Sequence, residues 1–414
     1  MLDSESRRAV EKARKNPSHM RTNEFIHSRL FDDTDLRTML LEMGPNCNLK
    51  CFHCYANCGP NRIGLPSPSI TDNAMNQAVR SGVLKVALTD GEPLREENRD
   101  AVAAAVEYSK YVDTTIISNG IFADKYEDAI EWISFLKQKG FDLSKAHPAL
   151  CVSAGSMYPT TQNNFRHIND ALKVVYPDAD LGNNFDYQFI GTGDIRDTVK
   201  RVNDIILTIN ESFGKRRSER MGKLGEEDAV YCYPEKGSPI KITVGVLEPV
   251  GRAADLSLVQ KIMPKKVMDL GDLVMETDPV STFRVFYNGD VHFAHGCSMV
   301  GRNRSYGNIK DQHLGFIMHK IRMDPLFQGF KLGGTPLLYH VAKKIDPSFK
   351  VEGRVNSDVY VALLENKSRA SEIGNYLQKN GVIDSYKTFI NSVDLSKSGF
   401  NPSRDIAIPQ SIFA

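Results

Sequence analysis

Gly44-Pro45-Asn46-Cys47-Asn48-Leu49-Lys50-Cys51-Phe52-His53-Cys54-Tyr55 is the stretch around which the rest of the chain is read. Its cysteines follow the spacing C-x3-C-x2-C on one short loop. Three soft thiolates placed this closely suit an iron–sulfur cluster or a zinc ion. A structural zinc needs a fourth ligand, usually from a second Cys/His pair. His53, between two of the cysteines, is badly placed for that role, whereas Cys58 lies within reach. A 4Fe–4S cluster on three thiolates would leave one iron open to a small molecule.

Outward from this loop, short apolar runs alternate with helical patterns. Strands are expected at 38–43, 83–88, 113–117, 149–152, 187–190 and 240–247. Helices are expected at 71–80 (Thr71 or Asp72 as N-cap), 96–110, 124–140, 163–175 and 195–212. This alternation means βα units on a parallel sheet. Six units fall short of the eight of a closed barrel. The polar run 213–238 reads as an exposed insertion before the sixth strand. After residue 255 the rhythm changes to a hairpin, 282–287 and 290–294, joined by Asn288-Gly289 in a type I′ turn, and then to helices and loops. The fold class is therefore α/β with a smaller α+β C-terminal extension.

The chain has 414 residues, 52 basic and 51 acidic, for a net charge of +1, which gives no support for nucleic-acid binding. It has no run of apolar residues long enough to span a membrane and no apolar signal-peptide core at its start. Seven cysteines, three of them clustered, do not form a secreted disulfide scaffold, and a reducing cytoplasm is the expected setting. Residues 1–36, basic and helical at 7–15, read as a solvated extension too short to hold a peptide-binding domain.

The second strand ends in Thr89-Asp90-Gly91-Glu92-Pro93-Leu94. Ligands of parallel α/β folds sit at such C-terminal strand ends. Glycine permits close backbone approach, proline fixes the turn, and Glu92 is able to accept a hydrogen bond from a ligand ammonium. Small polar residues end the third strand (Ser118, Asn119) and the fourth (Ser153), and the sixth ends in Val246-Leu247.

Together the cysteines and the Asp90–Pro93 turn resemble the radical S-adenosylmethionine (SAM) superfamily. The resemblance implies a partial (β/α)6 barrel. It implies a 4Fe–4S cluster on Cys47, Cys51 and Cys54 whose open iron chelates SAM, with His53 as the aromatic residue before the third cysteine. Asp90, Gly91, Glu92 and Pro93 match the family's Gly-Gly-Glu-Pro motif for the SAM amino group, with Asp90 in place of the first glycine. Ser118, Asn119 and Ser153 match ribose-side contacts, and Val246 and Leu247 the adenine side. The family's reduced cluster passes one electron to the sulfonium of SAM, and the resulting radical abstracts a substrate hydrogen. An electron donor such as flavodoxin or ferredoxin is implied.

Further on, Gly251-Arg252-Ala253, Asn288-Gly289-Asp290-Val291, Cys297 and Gly307-Asn308-Ile309 resemble the family's cysteine-rich SPASM extension. Cys297 is the sole cysteine after Cys232, so this extension is expected to lack auxiliary clusters. His292 and His295 read as turn and surface histidines. The expected division is a helical segment at 1–36, the partial barrel at 37–255 and the SPASM-like extension at 256–414. Cys297 and Cys232 are the candidate hydrogen-atom donors to a product radical; Cys151, inside the fourth strand, reads as a small hydrophobe. A small-molecule or natural-product substrate is expected. Modification of a peptide and transfer of an aminocarboxypropyl group are the alternatives, with a non-catalytic zinc module as a third class.

Overall fold

β1 (Thr38–Glu42) runs directly into the cysteine loop, and the elements that follow place five more parallel strands beside it. They are α1 (Pro68–Arg80), β2 (Lys85–Thr89), α2 (Arg99–Val106), β3 (Asp113–Ser118), α3 (Tyr126–Gln138), β4 (Leu150–Ser153), α4 (Gln162–Val175), β5 (Phe185–Gly191), α5 (Ile195–Phe213) and β8 (Ile240–Val246). Two strands, β6 (Arg217–Met221) and β7 (Asp228–Tyr233), come between α5 and β8 in the chain. This computed structural model describes residues 36–51, 54, 56–143, 149–154, 160–179, 185–191, 195–214, 217–221, 228–233, 240–246, 266–268, 282–293, 305–353, 359, 362–364 and 366–381. Among these the sheet order is β11-β10-β9-β1-β2-β3-β4-β5-β8-β7-β6, where β9 is Thr282–Val285, β10 is Asp290–Phe293 and β11 is Gly307–Asn308.

The first five parallel strands are in register from Leu41↔Leu88 through Leu88↔Ile116, Ile116↔Leu150 and Leu150↔Phe185, and β8 joins β5 at Tyr187↔Ile242. That row and its neighbours Met39, Val86, Val152 and Tyr187 are buried and apolar, and they form the core beneath the helices. Tyr187 marks the helix side: its hydroxyl donates to Asn169 Oδ1 of α4 at 2.7 Å, and its ring meets Phe165 edge-on at 5.3 Å. A sheet alternates side chains between its faces, so the intervening residues point the other way. That second face is mixed, with Thr89, Thr115, Ser153, Asp186, Gln188 and Thr243 beside Leu40, Ala87, Ile117 and Cys151. Thr243 Oγ1 donates to Asp186 Oδ2 across it at 2.8 Å.

Several local details differ from expectation. α1 starts earlier, because Ser67 precedes Pro68 and proline's fixed φ suits the first helical turn. The stretch 96–110 holds a single 3₁₀ turn (Glu96–Asn98) and the short α2. Residues 213–238 are not simply an exposed insertion: β6 and β7 form an antiparallel hairpin that extends the sheet beyond β8. The hairpin turn at 286–289 is not type I′, which needs two positive φ angles. Only Gly289 has one, at 91°; it donates to Phe286 O at 2.8 Å, and Phe286 N–H donates to Asp290 O at 2.8 Å. This is a three-residue loop closed by a glycine bulge. The hairpin joins the sheet through β9, parallel to β1, with Arg284 opposite Leu40. α1 holds the segment after it, Asn73 Nδ2 and Gln77 Nε2 donating to Ile309 O at 3.0 and 3.1 Å.

The chain divides into two compact units, one comprising Leu36–Lys266 and Thr282–Ile321. The described part of the other centres on α7 (Pro325–Ile345) and α8 (Lys367–Lys379), which follow α6 (Leu314–Met323) in the chain. α7 is capped by Asp324, which accepts from Leu326 N at 2.8 Å, and is kinked at Gly334 ahead of Pro336. No helix among the described residues is long and apolar enough to cross a membrane.

Phe185 is 1% exposed and packs edge-on against Tyr187 at 4.7 Å. Phe185→Ala should destabilise the first unit by about 3–5 kcal/mol in urea unfolding, as for other buried aromatic truncations. A loss below about 1 kcal/mol would place Phe185 outside the core.

Candidate functional site

The C-terminal ends of β1, β2 and β3 converge on one constellation. The loop after β1 closes on itself: Cys47 N–H donates to Gly59 O at 3.3 Å and Gly59 N–H to Pro45 O at 3.0 Å, framing 47–58. Inside it Cys54 N–H donates to Cys51 O and Asn57 N–H to Cys54 O, both at 3.2 Å, so the last two cysteines of the motif sit on consecutive tight turns. Cys47 is buried, while Cys51 and Cys54 are half-buried, and all three are free thiols. Burial pushes the Cys47 thiol up to about 12; Glu92, Cys51 and Cys54 add to the rise and the Leu49 N–H opposes it.

The three thiols are therefore neighbours, and burial holds the Cys47 thiol protonated when no metal is bound. Among the described residues no group of three His, Cys, Asp or Glu side chains is already gathered to hold a metal ion. The donors fit a 4Fe–4S cluster in kind and number, and loading it releases their protons.

The Asp90–Pro93 turn packs directly on this loop. Asp90 and Gly91 both have positive φ, 61° and 60°. A Cβ on Gly91 would lie 2.3 Å from Gly44 O and 2.4 Å from Asn46 O, so glycine is the residue that fits. Gly91 N–H donates to Cys58 Sγ at 3.1 Å, and Cys58 N–H to Cys54 Sγ at 3.3 Å. Cys58 thus bridges the cysteine loop and the turn. Its thiol is pushed far up by its hydrogen bond with Cys54 and then by burial.

Glu92 lies at the centre, 1% exposed. Its Oε1 accepts from Leu94 N–H at 2.9 Å and Ser118 Oγ at 2.8 Å, and its Oε2 from Asn119 N–H at 2.7 Å. Burial nevertheless raises its pKa to about 7, outweighing the three donors and Arg95. Ser118 and Asn119 were expected on the ribose side. In the structure their hydrogen bonds tie Glu92 to the cysteine loop, since Asn119 Nδ2 also donates to Asn48 Oδ1 at 2.8 Å and approaches Cys47 Sγ at 3.8 Å. Pro93 is buried in the turn.

Ser153 and Val246 stand at the C-terminal ends of β4 and β8, on the same end of the sheet. His53, Leu247, His295 and Cys297 lie outside the described residues, as do 1–35 and 251–253. Cys232 does not reach this end. It pairs with Ile240, the first residue of β8, and is buried near Tyr187, so it is not placed to meet a substrate at the strand C-termini.

Three contributors escaped the sequence reading. Asn98 Nδ2 donates to Glu92 O at 2.8 Å. Arg95 donates to Asn46 Oδ1. Arg284 of β9 pairs with Asp90 at 3.1 Å. Only Arg284 left a signal, a cation between the apolar strand residues Phe283 and Val285.

Gly91→Ala should cost at least about 2 kcal/mol of stability through positive φ and overlap with backbone, and should lower iron uptake on reconstitution. An alanine variant with normal stability and iron content would refute the close packing. Glu92 gives a pH test. Its folded pKa of about 7 exceeds the ordinary 4.5, so the associated stability is present below about 4.5 and lost as pH rises through about 7. Glu92→Gln does not titrate. Its metal-free stability should therefore gain on wild type by up to roughly 3 kcal/mol between pH 5 and 8 in urea unfolding. A constant difference would show Glu92 ionised throughout.

A sequence model described as the radical SAM superfamily matches residues 41–145. A probable GTP 3′,8-cyclase of Methanococcus maripaludis is 28% identical over 97 residues, which is 23% of this chain and 33% of that one. The antilisterial bacteriocin subtilosin biosynthesis protein AlbA of Bacillus subtilis is 29% identical over 98 residues, 24% of this chain and 21% of that one. The chain thus spans about a third or less of the length of these curated relatives. A solved structure of native anSMEcpe with bound AdoMet covers 86% of this chain and 100% of its own, at 13% identity and a TM-score of 0.40. Proteins of the superfamily use a 4Fe–4S cluster and SAM. The matched segment holds the cysteine loop, the Asp90–Pro93 turn and the Glu92 donors, and over it the chain is similar to the radical SAM superfamily.

Proposed function

We propose that this chain binds one 4Fe–4S cluster through Cys47, Cys51 and Cys54, binds SAM beside it, and uses the pair to generate a carbon radical on a small-molecule or natural-product substrate. When bound, the reduced cluster would supply one electron to the SAM sulfonium and release a 5′-deoxyadenosyl radical. The observation that carries the proposal is the seating of buried Glu92 against the cysteine loop. A carboxylate offers about four acceptor positions, and three are filled by Leu94, Ser118 and Asn119. The remaining one suits a single ammonium donor, and the protein donors hold the carboxylate where that donor must come. Gly91 lets the cofactor turn lie against the loop backbone, and the buried surroundings exclude water, which strengthens each polar contact.

The polar residues of the second sheet face support a substrate with hydroxyl, amide or charged groups. Thr89, Ser153 and Gln188 lie toward its C-terminal end, and the Asp186–Thr243 pair shows that this face is organised by hydrogen bonds. An electron donor of the flavodoxin or ferredoxin type would reduce the cluster. A second reading, modification of a peptide, is favoured by the similarity to a bacteriocin biosynthesis protein.

Anaerobic reconstitution should give about four irons per chain and absorbance near roughly 400 nm. With dithionite the loaded protein should cleave SAM, and Cys47→Ala, Cys51→Ala or Cys54→Ala should lose both properties while remaining folded. SAM cleavage by any of the three variants would remove the cluster assignment, and about eight irons would mean a second cluster. Incubation with candidate peptides and with small polar metabolites, read by mass spectrometry, separates the two substrate classes.

A further inference from the structure

Asp90 is a side chain where the superfamily's motif has glycine, and it keeps the glycine backbone, at φ 61°. An L-residue held there costs on the order of a kilocalorie unless something fixes it. Beyond β1, on the appended hairpin, Arg284 supplies the partner. Its Nη1 lies 3.1 Å from Asp90 Oδ2, with the two side chains 3% and 0% exposed. β9 runs parallel to β1 with Arg284 opposite Leu40, and β2, which ends at the turn, flanks β1 on its other side. Arg284 therefore reaches across β1 to the turn that carries Glu92. On its own hairpin it stands opposite His292 and faces the Phe286 ring at 5.9 Å.

We infer that Arg284 is a positioning residue for the SAM-binding turn, acting through Asp90, so that the hairpin after the barrel sets the geometry of the cofactor site. The inference rests on the proposed function for its ligand and on the ion pair for its mechanism. The physical logic is a matched set. Glycine at position 90 needs no partner, because it has neither Cβ strain nor charge. Aspartate needs Arg284, because a buried carboxylate without its cation is strongly unfavourable. Arg284 equally needs Asp90. Asp90 precedes Gly91, whose seat against Gly44 O and Asn46 O has no room even for a Cβ. Because the three residues are consecutive and Gly91 has no room beside it, a shifted Asp90 moves Gly91 and, one residue on, Glu92.

The test is a double-mutant cycle on the full chain: wild type, R284M, D90G and D90G/R284M. Each is reconstituted anaerobically, its iron counted and its SAM affinity measured by calorimetry; the metal-free forms are compared by thermal unfolding. Either single variant should keep about four irons yet bind SAM about tenfold to a hundredfold more weakly. The double variant should return to within about threefold of wild type and regain most of the lost unfolding temperature. Should a single variant fail to fold, a soluble, SAM-binding double variant still establishes the matched set. R284M with wild-type affinity would overturn the inference, and so would a double variant no better than R284M or itself unfolded. A wild-type protein that loads iron but binds no SAM would sink the proposed function instead. The unfolding temperatures of the four metal-free proteins would then still show whether Asp90 and Arg284 are coupled.

Discussion

The structure of the site depends on how a buried carboxylate is satisfied. Glu92 is nearly inaccessible to water, and burial of such a group is tolerable only when donors surround it. The donors come from Leu94 in its own turn and from Ser118 and Asn119 at the end of β3. Asn98 adds a bond to the Glu92 carbonyl at 2.8 Å and a longer one to Met43 O at 3.4 Å. Asn119 then passes the constraint to Asn48 in the cysteine loop. The ends of three strands are thereby held together by one side chain that would otherwise be expelled to water. The three donors do not fully offset desolvation, which is why Glu92 still titrates near neutrality. A ligand cation would complete what the protein leaves incomplete.

The six parallel strands were legible because each is a short apolar run between helical stretches, and the core-facing residues Leu41, Leu88, Ile116, Leu150 and Phe185 fall in one register row. The hairpin β6–β7 was hidden by its own composition. Arg217-Ser218-Glu219-Arg220 reads as solvated chain, yet charged residues are what an edge strand carries to avoid pairing with another molecule. The turn at Asn288-Gly289 was misjudged because the dipeptide serves two loop lengths. The position of Asp290, whose carbonyl accepts from Phe286 N–H, selects the longer one.

In the site, what was local was readable. Cys47, Cys51 and Cys54 announce themselves by spacing, and Asp90–Pro93 by its place at a strand end. The role of Ser118 and Asn119 was not readable, because it depends on which carboxylate faces them across two strands. Cys232 shows the same limit. Only the antiparallel register, Cys232 opposite Ile240, reveals that it lies at the far end of the sheet from the cysteine loop. Asn98 and Arg284 act through long-range contacts with no local motif.

Asp90 also bears on the charge of the site. SAM carries a sulfonium and an ammonium, so a binding site for it is hostile to any further uncompensated cation at short range in a low-dielectric interior. Arg284 places a guanidinium there, 2% exposed and at the base of the cofactor turn. Were residue 90 glycine, that cation would lose the carboxylate 3.1 Å from it. With aspartate the two charges offset one another, and under the proposed function the acceptor position left on Glu92 is there for the ligand's ammonium. Under the proposed function, the same ion pair that holds an L-residue in a glycine conformation would also keep the hairpin's cation from working against the ligand. Asp90 and Arg284 are thus intelligible only together: each alone is a defect in strain or in charge, and the two defects cancel at a distance of 3.1 Å.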